Sequence, residues 1–335
     1  MNTRRNTLRL SLGLTLSATA AAAALLAAPS TAMAQGADAW PSRPIKLIVP
    51  YAAGGFADTR ARKIADKIGQ SLGQPIVIDN RGGAGGVTGT DAIAKATDGH
   101  TFGFGSPGPL VTNPMLMKKL PYNAARDLQP IILIEEAPLI LTTAPNQPFK
   151  TVAELVAAAK AKPGTLTYAS SGDGSPQHLA GLMFESRTGT RLLHVPYKGG
   201  APAITDLIGG VVDMAFAPLP EALPHIKAGK LFPIGVLSEK RAVSAPDIPT
   251  LREGGVDNVV LSAWIGLLAP AKTPQPILDR LNQSVKSMLR GDARTKLLEV
   301  GMEPAVDDVK PLGQVIREEI RIHAELVKAA GLVPQ

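Results

Sequence analysis

The stretch Ile45-Lys46-Leu47-Ile48-Val49-Pro50-Tyr51-Ala52-Ala53-Gly54-Gly55-Phe56-Ala57-Asp58 decides the fold. Ile45 to Val49 is an apolar run too short for a helix and reads as a strand. Tyr51 to Gly55 is a Gly-rich turn, after which Ala61, Ile64, Ala65, Ile68 and Leu72 recur at helical spacing. Further out, Pro75 to Ile78 is a second strand ending at Asn80-Arg81-Gly82-Gly83. A helix then runs through Ile93, and Thr101 to Phe104 is a third strand ending at Ser106-Pro107. Strand, helix, strand, helix, strand is a parallel α/β unit.

The unit occurs twice. At a constant offset of 117 residues, Tyr51-Ala52-Ala53-Gly54-Gly55 lies over Tyr168-Ala169-Ser170-Ser171-Gly172, and Arg81-Gly82-Gly83-Ala84 over Lys198-Gly199-Gly200-Ala201. With six residues deleted, Gly99 to Pro107 continues over Gly210 to Pro218. The second copy reads as a strand at Leu166 to Ala169, a helix carrying Leu179, Leu182 and Met183, and a strand at Leu192 to Val195. A helix around Ile204 and Leu207 and a strand at Val211 to Phe216 complete it. Leu128 to Thr142, Leu231 to Leu237 and Leu261 to Leu268 read as crossing strands. Thr151-Val152-Ala153-Glu154 is a capping box, and amphipathic helices at Ile277 to Leu289 and Leu312 to Val327 cover the core. The expected fold is α/β and two-lobed, each lobe a parallel βαβαβ unit. Lobe 1 takes 35–130 and about 238–300, lobe 2 takes about 131–237, and 301–335 is a C-terminal helical segment.

Composition agrees. A chain of 335 residues, 45% hydrophobic and 19% charged, can bury two cores and is not disordered. Zero cysteine excludes thiolate zinc, iron–sulfur ligation, disulfides and a cysteine nucleophile. Arg4, Arg5 and Arg9, an apolar run from Leu10 to Ala28, and Ala32-Met33-Ala34 before Gln35 read as a cleaved signal peptide over 1–34. The Arg4-Arg5 pair leaves both the general and the twin-arginine export routes open. Cleavage removes three arginines and no acid, leaving 32 basic residues against 28 acidic ones, a net charge of +4. These charges are interspersed and aromatics are 4%, so the footprint of a nucleic-acid binder is absent. No later stretch reaches the roughly 18 apolar residues of a membrane span, and a periplasmic location is expected.

In a parallel sheet, ligands sit beyond the carboxyl ends of the strands, where turns lead into helix N-termini. Gly54, Gly55, Gly172 and Gly174 leave backbone N–H groups uncovered there, which favours anions. Two such turns facing each other can hold the two ends of one small anion. The accompanying candidates are Tyr51, Phe56, Asp58, Ser106, Ser170, Ser171, Ser175, His178, Tyr197 and Lys198, mostly hydroxyls and aromatics suited to orienting a ligand. Asp58 has two readings, a ligand contact or a charge complementing its helix dipole.

Motifs for chemistry fail one by one. Gly103-Phe104-Gly105-Ser106-Pro107-Gly108 matches the dinucleotide pattern literally, but Pro107 and Pro109 are expected to spoil the helix it needs. The histidines at 100, 178, 194, 225 and 323 show no metal spacing, and no phosphate loop or nucleophile elbow exists. Glu135 and Glu136 are adjacent on a strand and point to opposite faces, so they form no acid/base couple. No catalytic residue, metal or cofactor is expected.

Val49 to Asp58, Gly73-Gln74-Pro75-Ile76-Val77-Ile78-Asp79-Asn80-Arg81, Ala84-Gly85-Gly86, Asp98-Gly99, Asn113-Pro114, His194-Val195-Pro196-Tyr197-Lys198-Gly199 and Asp213 carry a resemblance. Across the whole mature chain the sequence resembles the Bug-type periplasmic solute-binding proteins of tripartite tricarboxylate transporters. That resemblance implies a type II-like Venus-flytrap fold, a carboxylate held largely by backbone groups and water, a membrane permease as partner and a monomeric receptor. It adds Gly199 and Asp213 to the site. Phe56 and Gly82 depart from the family pattern, in which a smaller residue or proline is common at the first and proline is usual at the second, and both departures bear on the pocket's size. Dicarboxylates, tricarboxylates, aromatic acids and amino acids all suit such a grip. The competing functions are a sensor signalling to a membrane kinase and a serine hydrolase using Ser171 or Ser175 with His178.

Overall fold

β1 (Ile45–Val49) lies between β2 (Ile76–Asn80) and β3 (Thr101–Gly105) and runs parallel to both. The connections are α1 (Phe56–Leu72) and α2 (Val87–Ala94). α1 buries Ala61, Ile64, Ala65, Ile68 and Leu72, the stripe its sequence period requires, and ends at Gly73, whose φ of 77° is open to glycine at little cost. The computed structural model describes residues 40–290, 294–295, 305 and 311–329. The expected signal peptide and much of the segment 301–335 lie outside the described residues.

After the first unit comes β4 (Leu128–Thr143), a strand of 16 residues, and then α3 (Val152–Ala161), opened by the capping box of Thr151 and Glu154. The second unit follows as β5 (Thr167–Ser170), α4 (Pro176–Thr188), β6 (Leu193–Pro196), α5 (Gly200–Ile208) and β7 (Met214–Pro218), with β5 parallel to both β6 and β7. α6 (Leu219–Lys227), β8 (Phe232–Val236), β9 (Ser262–Pro270), α7 (Gln275–Met288) and α8 (Leu312–Ala329) complete the longer described elements. No helix among the described residues is long and apolar enough to cross a membrane.

The strands are ordered β2-β1-β3-β9-β4-β7-β5-β6, with β8 also on β4. β4 belongs to both halves of this sheet. Its residues Leu128 to Pro138 pair with β9, and Leu139 to Thr143 pair with β7 and, from Ile140, with β8. The chain passes back beside that junction, where Leu139 N–H donates to Leu261 O and Ser262 pairs with Pro138. Of the three segments read as crossing strands, β4 alone pairs into both halves. β8 stays with the second half, and β9 with the first. One core gathers Ile48, Ile93, Leu133, Trp264, Leu268 and Leu312, the other Ile140, Ala169, Leu207, Ala217 and Val236. The result is the expected two-lobed α/β architecture, with α8 covering the first core.

The constant offset of the duplication is corrected. Ile45, Ile76 and Thr101 begin strands that correspond to those begun by Thr167, Leu193 and Met214, displacements of 122, 117 and 113 residues. Tyr51 therefore lies in the turn after β1, whereas Tyr168 lies inside β5 and is fully buried. The helices set the true equivalence: Gly55 precedes α1 and Ser175 precedes α4. The expected loss of helix after Gly105 is also corrected. Pro107 takes helical angles, Gly108–Thr112 forms a wide helical turn and Asn113–Leu116 continues it, because proline is tolerated in a first turn that needs no N–H donor.

Candidate functional site

The carboxyl ends of β1, β3, β5 and β7 face one another across the two lobes and enclose a cavity lined by Tyr51, Gly55, Phe56, Ser106, Ser171, Gln177, Gly200, Pro218, Glu221 and Trp264, among others. About 40 Å³ is open to the centre of a water molecule, room for a few small groups. Phe56 begins α1, Pro176 and Gln177 begin α4, Gly200 begins α5, and Pro218 caps α6. Four helix N-termini thus converge on the cavity while no Lys or Arg is among its lining residues. Oriented backbone N–H groups supply the positive potential.

The cleft is shut by bonds between the lobes. Ala52 N–H donates to Lys198 O at 3.1 Å, and Phe56 N–H to Glu221 Oε1 at 3.2 Å. Glycine permits this approach at two places that matter. A Cβ on Gly82 would lie 2.6 Å from Lys198 O, and one on Gly172, whose φ is 120°, would lie 2.7 Å from Gly85 N.

Of the residues expected at the site, Tyr51, Gly55, Phe56, Ser106 and Ser171 line the cavity. Tyr51 and Ser106 share a hydrogen bond of 2.7 Å, and burial pushes the Tyr51 phenol up to about 12 although that bond opposes it. Ser171 Oγ donates to Gln177 Oε1 at 2.9 Å. Gly54, Asp58, Gly172 and Gly199 support the wall from behind. Asp58 Oδ2 accepts from Gly54 N–H at 2.8 Å and from Arg62 at 2.9 Å. Burial raises the Asp58 pKa, but the bonds from Arg62, Gly54 and Asn80 outweigh it and hold the carboxyl below its ordinary range. Asp58 therefore stays ionised and fixes the turn before α1.

The others sit elsewhere. Ser175 Oγ caps α4 by accepting His178 N–H, and Ser170 Oγ is bonded to His194 Nε2 at 2.7 Å. The His178 and His194 rings stack at 4.0 Å, and His178 Nδ1 accepts from Gly174 N–H. Burial, with the neighbouring His194 ring, holds His178 down to about 3. Burial also lowers His194, against the pull of Asp173. Both imidazoles are neutral scaffolding, and the Ser–His pairing a hydrolase needs at Ser171 or Ser175 is taken up by these other bonds. Tyr197 donates to Asp206 at 2.7 Å and packs on the second core. Asp213 precedes β7 and accepts from Thr167 N–H at 2.7 Å, tying the amino ends of two strands together at the end of the sheet opposite the cavity.

Sequence reasoning missed Gln177, Glu221 and Trp264. Gln177 and Glu221 stand in first helical turns after β5 and β7, the position class that picked out Phe56, so the signal was present. Trp264 comes from β9, outside the repeated unit, and nothing in the pattern said which face of that strand meets the cleft.

The family described as the tripartite tricarboxylate transporter family receptor matches residues 60–332. The chain belongs to that family. It is 37% identical over 309 residues to Protein BugT of Bordetella pertussis, covering 91% of this chain and 95% of BugT. A Rhodopseudomonas palustris protein solved with adipate superposes with a TM-score of 0.84 at 35% identity, covering 88% of this chain and 100% of the other. MatC of the same organism, solved with malate, gives 0.82 at 33%, covering 86% and 100%. The family is one of periplasmic solute-binding receptors rather than enzymes, which agrees with a cleft whose lining serines, Ser106 and Ser171, bond Tyr51 and Gln177 rather than a histidine.

Proposed function

We propose that this receptor captures a small organic carboxylate in the cavity between its lobes and delivers it to the membrane permease of a tripartite tricarboxylate transporter. The observation that carries this reading is the convergence of four helix N-termini on a cavity with no basic side chain among its lining residues. An anion there is met by fixed backbone dipoles instead of a mobile cation. The adipate and malate bound by two relatives support a carboxylate.

In this reading Tyr51, Gly55, Phe56, Ser106 and Ser171 contact the ligand, with Gly54, Asp58, Gly172 and Gly199 holding the turns. Ser170, Ser175, His178, Tyr197 and Asp213 stabilise the second lobe. The lobes divide near Pro138 and near Leu261, later in the chain than the expected bounds at about 130 and 237. The chain is made with a signal peptide over 1–34, which is removed on export, and the mature protein acts as a monomer.

Calorimetric titration with carboxylates of three to six carbons tests the reading. One of them binds the wild type, and Gly55→Val abolishes that binding, because a Cβ at Gly55 already lies 3.3 Å from Ala201 N and Glu221 Oε1. Unchanged affinity in a folded Gly55→Val protein would refute the site.

A further inference from the structure

Glu221 is the one charged residue among those lining the cavity. It stands in the first turn of α6 and reaches across the cleft to α1, where Oε1 accepts Phe56 N–H. Its Oε2 is buried and has no hydrogen-bond partner among the described residues. The bare backbone of Gly200 admits it, since a Cβ there would fall directly onto both carboxyl oxygens.

Among the described residues no cation is hydrogen-bonded to Oε2: Arg60 of α1 acts on this acid through space, while two of its nitrogens are bound to Glu135 of β4 at 2.7 and 2.9 Å. The turn after β1 presents Tyr51, a neutral phenol, and α4 presents Gln177, with His178 turned to Gly174 and neutral. α5 offers the Gly200 backbone. Behind Trp264 of β9, Glu319 of α8 accepts the indole N–H, and burial raises it to about 7. Tyr51 and Trp264 add aromatic surface of the kind that favours a cation, whereas one face of the Phe56 ring is taken by the Arg60 guanidinium, 5.0 Å from its centroid.

Resting on the carboxylate-capture reading, we propose that Glu221 makes the cavity selective for carboxylates that also carry an ammonium group, that is, amino acids. The turn backbones take the carboxylate, and Glu221 Oε2 accepts from the ammonium. A plain dicarboxylate would bring a second anion against Oε2 and could bind only with a proton held between them.

The two cases differ in the sign of proton exchange. Burial pushes Glu221 up to about 7, although the Phe56 N–H bond and Arg60 oppose it, so near pH 6.5 it is largely protonated in the free cleft. An arriving ammonium ionises it and releases a proton, whereas a dicarboxylate holds the proton in place or takes one up. The test is calorimetry at pH 6.5 in two buffers of different ionisation enthalpy. The probes are alanine, aspartate and 4-aminobutanoate, each beside propanoate, succinate and butanoate. An amino acid binds tightest, its counterpart lacking the amine is weaker by roughly tenfold or more, and protons are released. Glu221→Gln weakens the amino acid by a similar factor and leaves succinate unchanged or improved. Tightest binding of succinate or a simple monocarboxylate, with no proton release and no effect of Glu221→Gln, would overturn the selectivity while leaving the receptor reading intact. Failure of every probe to bind either protein would instead remove the reading of this cavity as a site for small aliphatic carboxylates. The proton count on the wild type needs no variant to fold.

Discussion

Gly82→Ala should weaken ligand binding while sparing the fold. Gly82 lacks the positive φ that strains other residues, so alanine costs nothing in backbone conformation. Its new Cβ would lie 2.6 Å from Lys198 O of the facing lobe and 3.0 Å from Ala52 N of its own. The first contact must open to an ordinary van der Waals separation, and the Ala52 N–H to Lys198 O bond lies directly in the path of that movement. Losing the bond costs about 1 kcal/mol, and overpacking costs about 1–3 kcal/mol more. Only the closed arrangement bears most of this, so the closed state loses about 2–4 kcal/mol, which is roughly thirty- to several-hundredfold in affinity. Calorimetry with the best-binding carboxylate measures it, beside a thermal melt without ligand to show the fold is intact. Gly209→Ala serves as control, since a Cβ there makes contacts of 3.5 Å or more. Affinity within about threefold of wild type in a folded Gly82→Ala protein would show that the bound lobes do not approach this closely.

Two further predictions concern stability. His178, held down to about 3 by burial, binds a proton more readily unfolded than folded, so its contribution to stability is complete above the unfolded value of 6.5 and is lost as pH falls below it. Between pH 7 and pH 5 this amounts to about 2 kcal/mol. Urea unfolding at the two pH values should show the loss reduced in His178→Gln, and an identical pH dependence in that variant would contradict the assignment. Glu135→Ala removes the bidentate carboxylate from the buried Arg60 charge and should cost about 3–5 kcal/mol, whereas Arg60→Met combined with Glu135→Leu should recover most of it. A single-variant loss below about 1 kcal/mol would mean that the pair is solvated in solution.

The first unit was legible because each of its elements obeys a local rule. Ile45 to Val49 is short and apolar but for the exposed Lys46, α1 keeps its period, and Gly73 stops it. The alternation that separated Glu135 from Glu136 also held: Glu135 is fully buried against Arg60, while Glu136 is exposed and bonds Ser262. The duplication was real, but its register was not readable from matched Gly and Tyr residues. The turns differ in length between the copies, and identity at Tyr51 and Tyr168 joined a turn residue to a core residue. Asp213 entered the site through the family resemblance alone, whereas β7 runs away from it toward the cavity. Trp264 and the junction at Pro138 and Ser262 depend on contacts distant in sequence, which no local period encodes.

A small carboxylate clasped between two lobes that move about the β4 junction must draw them together, and X-ray scattering with and without the best-binding carboxylate measures this. The ligand is expected to lower the radius of gyration of the wild type and raise its melting temperature together, and Gly82→Ala to blunt both. Tight binding with an unchanged radius of gyration, in the wild type and in Gly82→Ala alike, would contradict that closure.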